Sequence, residues 1–380
     1  MQYEITEATQ SAINPGAVKD VYYYGETNVA KQAYPVVKNN RFLQQFANLT
    51  GGTSQFVISP NMGVSDIVIR VQLPTEGSSG ATYANVWLPK AWGYNLIRTV
   101  SVRYGGSSQY FWTGSQILAQ NLLDCENDFK MDQLLNLGGG QGTGAALSGA
   151  EAFLYLNLPH CSPRAEGKPL PFPSDLLTQP IVVTVELNPI ASIFGYITGQ
   201  TTGAPNALAA GEIQVNQEYL SDSADLLARR VDMNAHALSV PLKYFAQQEV
   251  VSRNIAPGAQ NVILTGFRAG EVRDIMLWLE PVFASPNPES QFTWSQMSNV
   301  TLTYIGEIFF TANGGVSQMW NLIEDKKSAA VSLVDVNPAT GAPAGAVPSY
   351  WTLVKFSQVD VPRDRMYDLV SGKPKLVACC

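Results

Sequence analysis

Short apolar runs, some alternating with polar residues and some continuous, recur along the chain, and Gly, Pro, Asn or Ser closes off each one. In the first half they are Gln55–Ile58, Asp66–Leu73, Thr99–Tyr104, Phe153–Leu158 and Ile181–Leu187. The second half supplies Asn261–Leu264, Asp274–Leu279 and Val300–Phe310. β-branched and aromatic residues fill these runs, which predicts the strands of β-sandwiches. Thirty-one glycines and 23 prolines suit the many tight turns such strands need. Helical patterns are few. Asn121–Leu137, with Leu122, Leu123, Phe129, Leu134 and Leu135, predicts one or two short helices. Ser221–Arg230 opens on capping residues and closes on two arginines, as a helix does. Gly138–Gly149 is glycine-rich but lacks the Lys-Ser/Thr ending of a phosphate loop, so a flexible loop is expected there.

The pattern also repeats. Residues 99–124 align without a gap on residues 299–324, at an offset of 200, with identities at Val100/Val300, Tyr104/Tyr304, Gly106/Gly306, Gly114/Gly314, Asn121/Asn321 and Leu122/Leu322. An earlier block repeats at an offset of 208, where Ser65–Val71 meets Arg273–Leu279. Both blocks occur in the same order, and an eight-residue difference in the intervening loop reconciles the offsets. One sandwich topology used twice explains this, and the repeated Tyr and Gly positions are then structural.

At 380 residues the chain exceeds one ordinary core. The expected division is an arm at 1–51, a first sandwich at 52–221, a linker helix at 222–238 and a second sandwich at 239–380. Apolar residues make up 46% and charged residues only 14%, against about 25% in an ordinary soluble protein. A chain with so little charge either keeps little surface in water or covers much of it with partners. The net charge is −7 and no basic stripe with interleaved aromatics occurs, so direct nucleic-acid binding is not expected. The nearest basic feature, Lys326-Lys327, sits beside Glu324 and Asp325. The first residues carry neither a positive region nor an apolar core of a secretory signal, and no run of 18 uncharged apolar residues predicts a membrane span.

Candidate chemistry is sparse. His160 adjoins Cys161 without partners at metal-binding spacing, and His236 stands alone. The cysteines, Cys125, Cys161, Cys379 and Cys380, do not make a disulfide framework, and a reducing compartment suits them; the terminal pair reads as a frayed tail. The sequons at Asn48 and Asn299 matter only in a secreted chain. Glu324/Asp325 and Asp222/Asp225 lie near basic residues and read as solvated or capping charges. No catalytic residue, cofactor site or metal site is expected.

Several stretches resemble the double jelly-roll major capsid proteins, a lineage that includes tailless membrane-containing phages, adenoviruses, virophages and the large DNA viruses of eukaryotes. Gly167–Leu176, followed by the strand to Leu187, is similar to the Leu-Pro turn before a long strand in the large-DNA-virus branch. Glu218–Asp225 resembles the segment that ends the first jelly roll in that branch, with Ser221 and Ser223 where the family has Asp and Thr. Pro241–Gln248 resembles the start of the second roll, and Glu271–Trp278 one of its strands. The resemblance covers roughly residues 52–360. It implies an all-β fold of two tandem eight-stranded jelly-roll sandwiches with few short helices. It also implies a non-enzymatic structural role: homotrimeric, pseudo-hexagonal capsomers tiling an icosahedral virion shell. The implied partners are further copies, neighbouring capsomers, and minor capsid and penton proteins, with assembly in the host cytoplasm. The arm would lie under the shell or reach an adjacent capsomer, with Tyr22-Tyr23-Tyr24 packing on a neighbour or meeting an internal membrane; an arm that simply orders on assembly stands beside those readings. Two rival classes stand beside it: a cellular structural or adhesive protein, which predicts a wall anchor, a transmembrane tail or longer repeat arrays, and a secreted tandem β-sandwich carbohydrate-binding protein or glycoside hydrolase. The latter predicts a signal peptide, clustered tryptophans and paired carboxylates, whereas the seven tryptophans here are scattered.

Overall fold

A computed structural model describes residues 36–220, except 59–62, 105–108, 124, 126–127, 157–178 and 197–201. Beyond residue 220 it describes 258, 261, 274–279, 294, 297, 299–304, 307–313, 328–329, 353–357, 366–367 and 374–375. The first half is a sandwich of two four-stranded sheets. One has the order β1 (Val36–Gln45), β11 (Ala210–Leu220), β3 (Gly63–Gln72), β8 (Glu151–Leu156). The other has the order β2 (Gly52–Ile58), β9 (Ile181–Leu187), β5 (Ile97–Tyr104), β6 (Gln109–Trp112). Every neighbouring pair is antiparallel. Along the chain the strands cross between the sheets, and the last strand, β11, inserts between β1 and β3. Eight strands wound in this order are a jelly roll.

Alternation explains the layers. Ile67, Ile69 and Val71 of β3, Ile213 and Val215 of β11, and Leu154 and Leu156 of β8 point inward and are buried. Phe56 and Ile58 of β2, Val183, Val185 and Leu187 of β9, and Val100 and Val102 of β5 meet them from the other sheet. Outward positions on β3, β8 and β11 carry Arg70, Gln72, Glu151, Glu212 and Gln214, the polar half of the period. Phe46 and Phe56, with ring centroids 5.2 Å apart, close the corner between β1 and β2.

The connections between the strands differ in length. The connections at 59–62 and 105–108 have four residues each. Three of the long ones, 73–96, 113–150 and 188–209, interlock as a cap through a small sheet, β10 (Gly195–Tyr196), β4 (Val86–Leu88), β7 (Gly142–Thr143). They also carry the helices α1 (Trp92–Leu96), α2 (Gly114–Leu123) and α3 (Asp128–Leu137). Tyr94 is buried at the centre of this cap. Its hydroxyl accepts from Asn121 Nδ2 at 3.1 Å and from the Tyr155 backbone N–H at 3.3 Å, and Asn121 Nδ2 also donates to Tyr155 O at 2.8 Å. Burial pushes the Tyr94 phenol up to about 12, with the Asn121 and Tyr155 hydrogen bonds opposing that shift. A Cβ on Gly114 would lie 1.9 Å from Tyr94 O, so α2 can approach only because that position has no side chain.

Two expectations are corrected here. The arm predicted at 1–51 contains β1, a full strand of the sandwich. Six of its ten residues are polar, as an edge strand tolerates, and this disguised it. The glycine-rich stretch predicted as a flexible loop starts with Gly138 and Gly139, both buried. Their missing side chains admit aromatic rings: a Cβ would fall 2.8 Å from the Tyr94 ring at Gly138 and 2.3 Å from Trp92 Nε1 at Gly139. Where one or two short helices were expected at Asn121–Leu137 there are two, α2 beginning earlier at Gly114. The predicted strand at Val300–Phe310 is a hairpin. Ser221–Arg230 and the expected linker helix lie outside the described residues.

In the second half, β12 (Asp274–Trp278) pairs with β16 (Leu353–Ser357), which also carries β15 (Ser328–Ala329). β13 (Asn299–Tyr304) and β14 (Glu307–Asn313) form the hairpin, and β17 (Met366–Tyr367) pairs with β18 (Pro374–Lys375). The registers reproduce those of the first half. Ile67↔Leu156 and Arg70↔Phe153 become Ile275↔Phe356 and Trp278↔Leu353, by adding 208 on one strand and 200 on the other. Val100↔Trp112 and Val102↔Tyr110 become Val300↔Ala312 and Leu302↔Phe310, by adding 200 to both. The offsets read from sequence are the offsets of hydrogen-bonded pairs. Trp294 and Leu353 join the same contiguous apolar core as the first sandwich.

Gly114→Ala is expected to destabilise the chain by roughly 3 kcal/mol, the scale of severe overpacking, because the methyl meets backbone rather than a movable side chain. Urea unfolding of the variant against the parent checks this.

Candidate assembly surface

Three surfaces present chemistry outside the core. The first is the outer face of the β1-β11-β3-β8 sheet. Pairing aligns Gln45, Glu212, Arg70 and Phe153 in one row across four strands. Glu212 is buried and accepts from Gln45 Nε2 at 3.0 Å, Arg70 at 3.1 Å and Gln214 Nε2 at 2.8 Å. Arg70 reaches Glu151 with its other nitrogen at 2.5 Å and lies 6.0 Å from the Phe153 ring centre. The Gln214 hydrogen bond, then those from Arg70 and Gln45, hold the Glu212 carboxyl below the usual carboxylate range although burial opposes them. Hydrogen bonds to Glu151 and then to Glu212 raise the Arg70 guanidinium. The row is internally satisfied, so it stiffens the sheet and does not need a partner to neutralise it.

The second is the outer face of the other sheet. Gln55, Thr184, Ser101 and Phe111 line up in one row, and Val57, Val182 and Arg103 in the next. Val57 and Phe111 are 48% and 44% exposed. Charge on this face sits toward its ends, at Arg103 and at Glu186, which accepts from Arg98 and Thr99 at 3.0 Å.

The third involves the cap helices. α2 has no exposed residue: seven of its ten are buried and Ser115, Gln116 and Gln120 are half-buried. It packs on the sandwich and against β15 of the second half. The next helix, α3, turns Leu134 and Leu135 inward yet leaves Phe129 70% and Leu137 57% exposed. Phe129 is the most exposed large apolar side chain among the described residues.

Asn48 is a turn residue. Its Oδ1 accepts from the Thr50 backbone at 3.0 Å and the Thr50 hydroxyl at 2.8 Å, which fixes the corner after β1. Asn299 starts β13 and pairs with Asn313. The Cys125 thiol donates to Asn121 O at 3.2 Å. His160, Cys161, Asp222, Asp225, His236, Glu324, Asp325, Lys326, Lys327, Cys379, Cys380 and Tyr22-Tyr23-Tyr24 lie outside the described residues. Among the described residues no group of three His, Cys, Asp or Glu could hold a metal ion, and no helix is long and apolar enough to cross a membrane.

Solved viral structures are similar to this chain. Against the Sulfolobus Turreted Icosahedral Virus structure the identity is 12% and the TM-score 0.47, over 88% of this chain and 84% of that one. Against the PBCV-1 virus capsid the identity is 14% and the TM-score 0.45, over 90% and 80%. PBCV-1 VP54, as fitted into the virophage Sputnik, gives 16% and 0.35 over 50% of this chain and 45% of that one, so this match spans less than half of VP54. No protein-family model and no curated protein matches.

Glu212→Ala is expected to cost roughly 1–3 kcal/mol near neutral pH, the scale of hydrogen bonds to a charged group. Because the folded carboxyl is held low, its contribution is present above the ordinary carboxylate range and lost as pH falls through the depressed value. Urea midpoints taken from pH 7 down to pH 2 should therefore converge between parent and variant at the acid end.

Proposed function

We propose that this chain is a major capsid protein, a double jelly roll whose trimers are the blocks of an icosahedral shell. The observation that supports this most is the register-preserving repeat: two strand pairs of the jelly roll recur in the second half at the same spacing. Two similar units side by side in one chain let three chains present six, and six near-equivalent units tile a flat face with pseudo-hexagonal symmetry. The motifs at Gly167–Leu176, Glu218–Asp225, Pro241–Gln248 and Glu271–Trp278 support the same family.

The composition suits that role. Obligate interfaces bury about 2,000–5,000 Å² and are depleted in charge at their centres, and a chain with 14% charged residues has surface of that kind to spare. Sheet edges at β1, β2, β6 and β8 invite pairing unless covered, and neighbouring copies would cover them. With a net charge of −7 the chain would enclose a genome without gripping it. The shell would recruit minor capsid and penton proteins, the residues before β1 would reach a neighbouring capsomer or an internal membrane, and assembly would take place in the host cell. The chain carries out no reaction in this reading.

Sedimentation or light scattering of the purified chain is expected to give a species near three times 41.2 kDa that persists on dilution. A clean monomer would overturn the capsomer reading. Deletion of residues 1–30, which leaves β1 intact, should preserve that species but impair closed shells under electron microscopy; normal shells would remove the proposed role of the arm.

A further inference from the structure

Among the described residues the first sandwich has four sheet edges, β1, β8, β2 and β6, and three of them are guarded. β1 carries Lys38 and Arg41 and a register shift between Val37 and Asn40. β6 offers only the four residues Gln109–Trp112. β8 begins on the ion-paired Glu151 and is packed by all three cap helices. Charge, irregularity, short length and a covering element are the devices by which sheets avoid joining other sheets. β2 (Gly52–Ile58) uses none of them. Its seven residues include no charge and no proline, and its register with β9 runs unbroken from Gly52↔Leu187 to Ile58↔Ile181. Among the described residues no strand lies on its other side.

The strand also fits itself. An antiparallel partner related by a two-fold axis at Gln55 pairs all seven residues, setting Gln55 on Gln55, Thr53 on Val57 and Ser54 on Phe56 of the other copy. Opposite residues share a face, so the exposed Gln55 and Val57 and the half-buried Thr53 continue the outer face, while Ser54 and Phe56 stay buried. Any other two-fold register shortens the pairing. We infer that β2 pairs antiparallel with β2 of a second copy of this chain, fusing two four-stranded sheets into one of eight. Such an isologous contact closes on two copies, and a three-fold ring contains no two-fold axis. In the capsomer reading, on which its place in a shell rests, the contact therefore lies between trimers. A pair of seven-residue strands is far smaller than the roughly 1,200–2,000 Å² of a stable interface. Single contacts are accordingly reversible and hold firmly only when many are made at once.

The test is sedimentation velocity of the full-length chain over a concentration series, with Gln55→Lys and Gln55→Glu, each of which sets like charges opposite one another at the axis. Gln55 is exposed, so far-UV circular dichroism should match the parent. Val57→Lys, a charge at the other exposed position of the strand, should act alike and replaces any Gln55 variant whose spectrum departs from the parent's. As concentration rises the parent should form species of twice its basic mass and above. Q55K and Q55E alone should keep the basic mass throughout, and their equimolar mixture should regain the heavier species. A variant that associates like the parent overturns the inference, and so does a mixture that fails to regain the heavier species. A parent that stays trimeric at every concentration removes this contact and leaves the capsomer reading standing. A parent that is monomeric on dilution and pairs through Gln55 removes the capsomer reading and leaves this contact.

Discussion

The first unit is organised around one buried phenol. Tyr94 sits on a single helical turn between the sandwich and its cap, and its hydroxyl ties α2 to β8 through Asn121 and the Tyr155 backbone. Glycines open space on both sides of it, Gly114 against its carbonyl and Gly138 against its ring. A buried hydroxyl with fixed partners is intolerant of displacement, since an orphaned polar group costs more than the bond contributes. The long connections of the roll are thereby held in one arrangement, and the burial of α2 and the exposure of α3 both follow from it.

The outer row Gln45–Glu212–Arg70–Phe153 works in a complementary way. The cap is fixed by close packing and a few neutral hydrogen bonds; the first sheet is clamped on its wet side by a carboxylate with three donors. Inside, β3, β8 and β11 present Ile67, Ile69, Val71, Leu154, Leu156, Ile213 and Val215. Each strand therefore contributes to two independent constraints, and its register is specified from both faces.

Much of the fold was legible because its signal is local. Ile181–Leu187 was bounded to the residue, since a continuous β-branched run between turn residues has few other readings. The repeat was legible because glycines and asparagines at close-packed positions resist replacement: Gly114 and Asn121 of α2 each prove to have a steric or hydrogen-bonding reason. β1 and β11 were not recognised. Six of the ten residues of β1 are polar, and the pairing of both strands lies in residues far away in sequence, as Arg70 and Glu212 at a separation of 142 illustrate. β4, β7 and β10 have two or three residues each, too few to carry a period. Phe129 was legible as an apolar helical residue, but which side of α3 faces inward is decided by the packing of Leu134 and Leu135, and no local pattern states that.

The strand order has a consequence for synthesis. Gln45 and its partner Glu212 are 167 residues apart, and β1 has no other neighbour in its sheet. Ribosomes emit about 5–20 residues per second, so β1 and one side of β3 stay unpaired for roughly 10–30 s while the chain between them is made. During that interval the nascent chain carries open strand edges that invite pairing with other chains. Folding yield is thus set by how well those edges are shielded until β11 emerges.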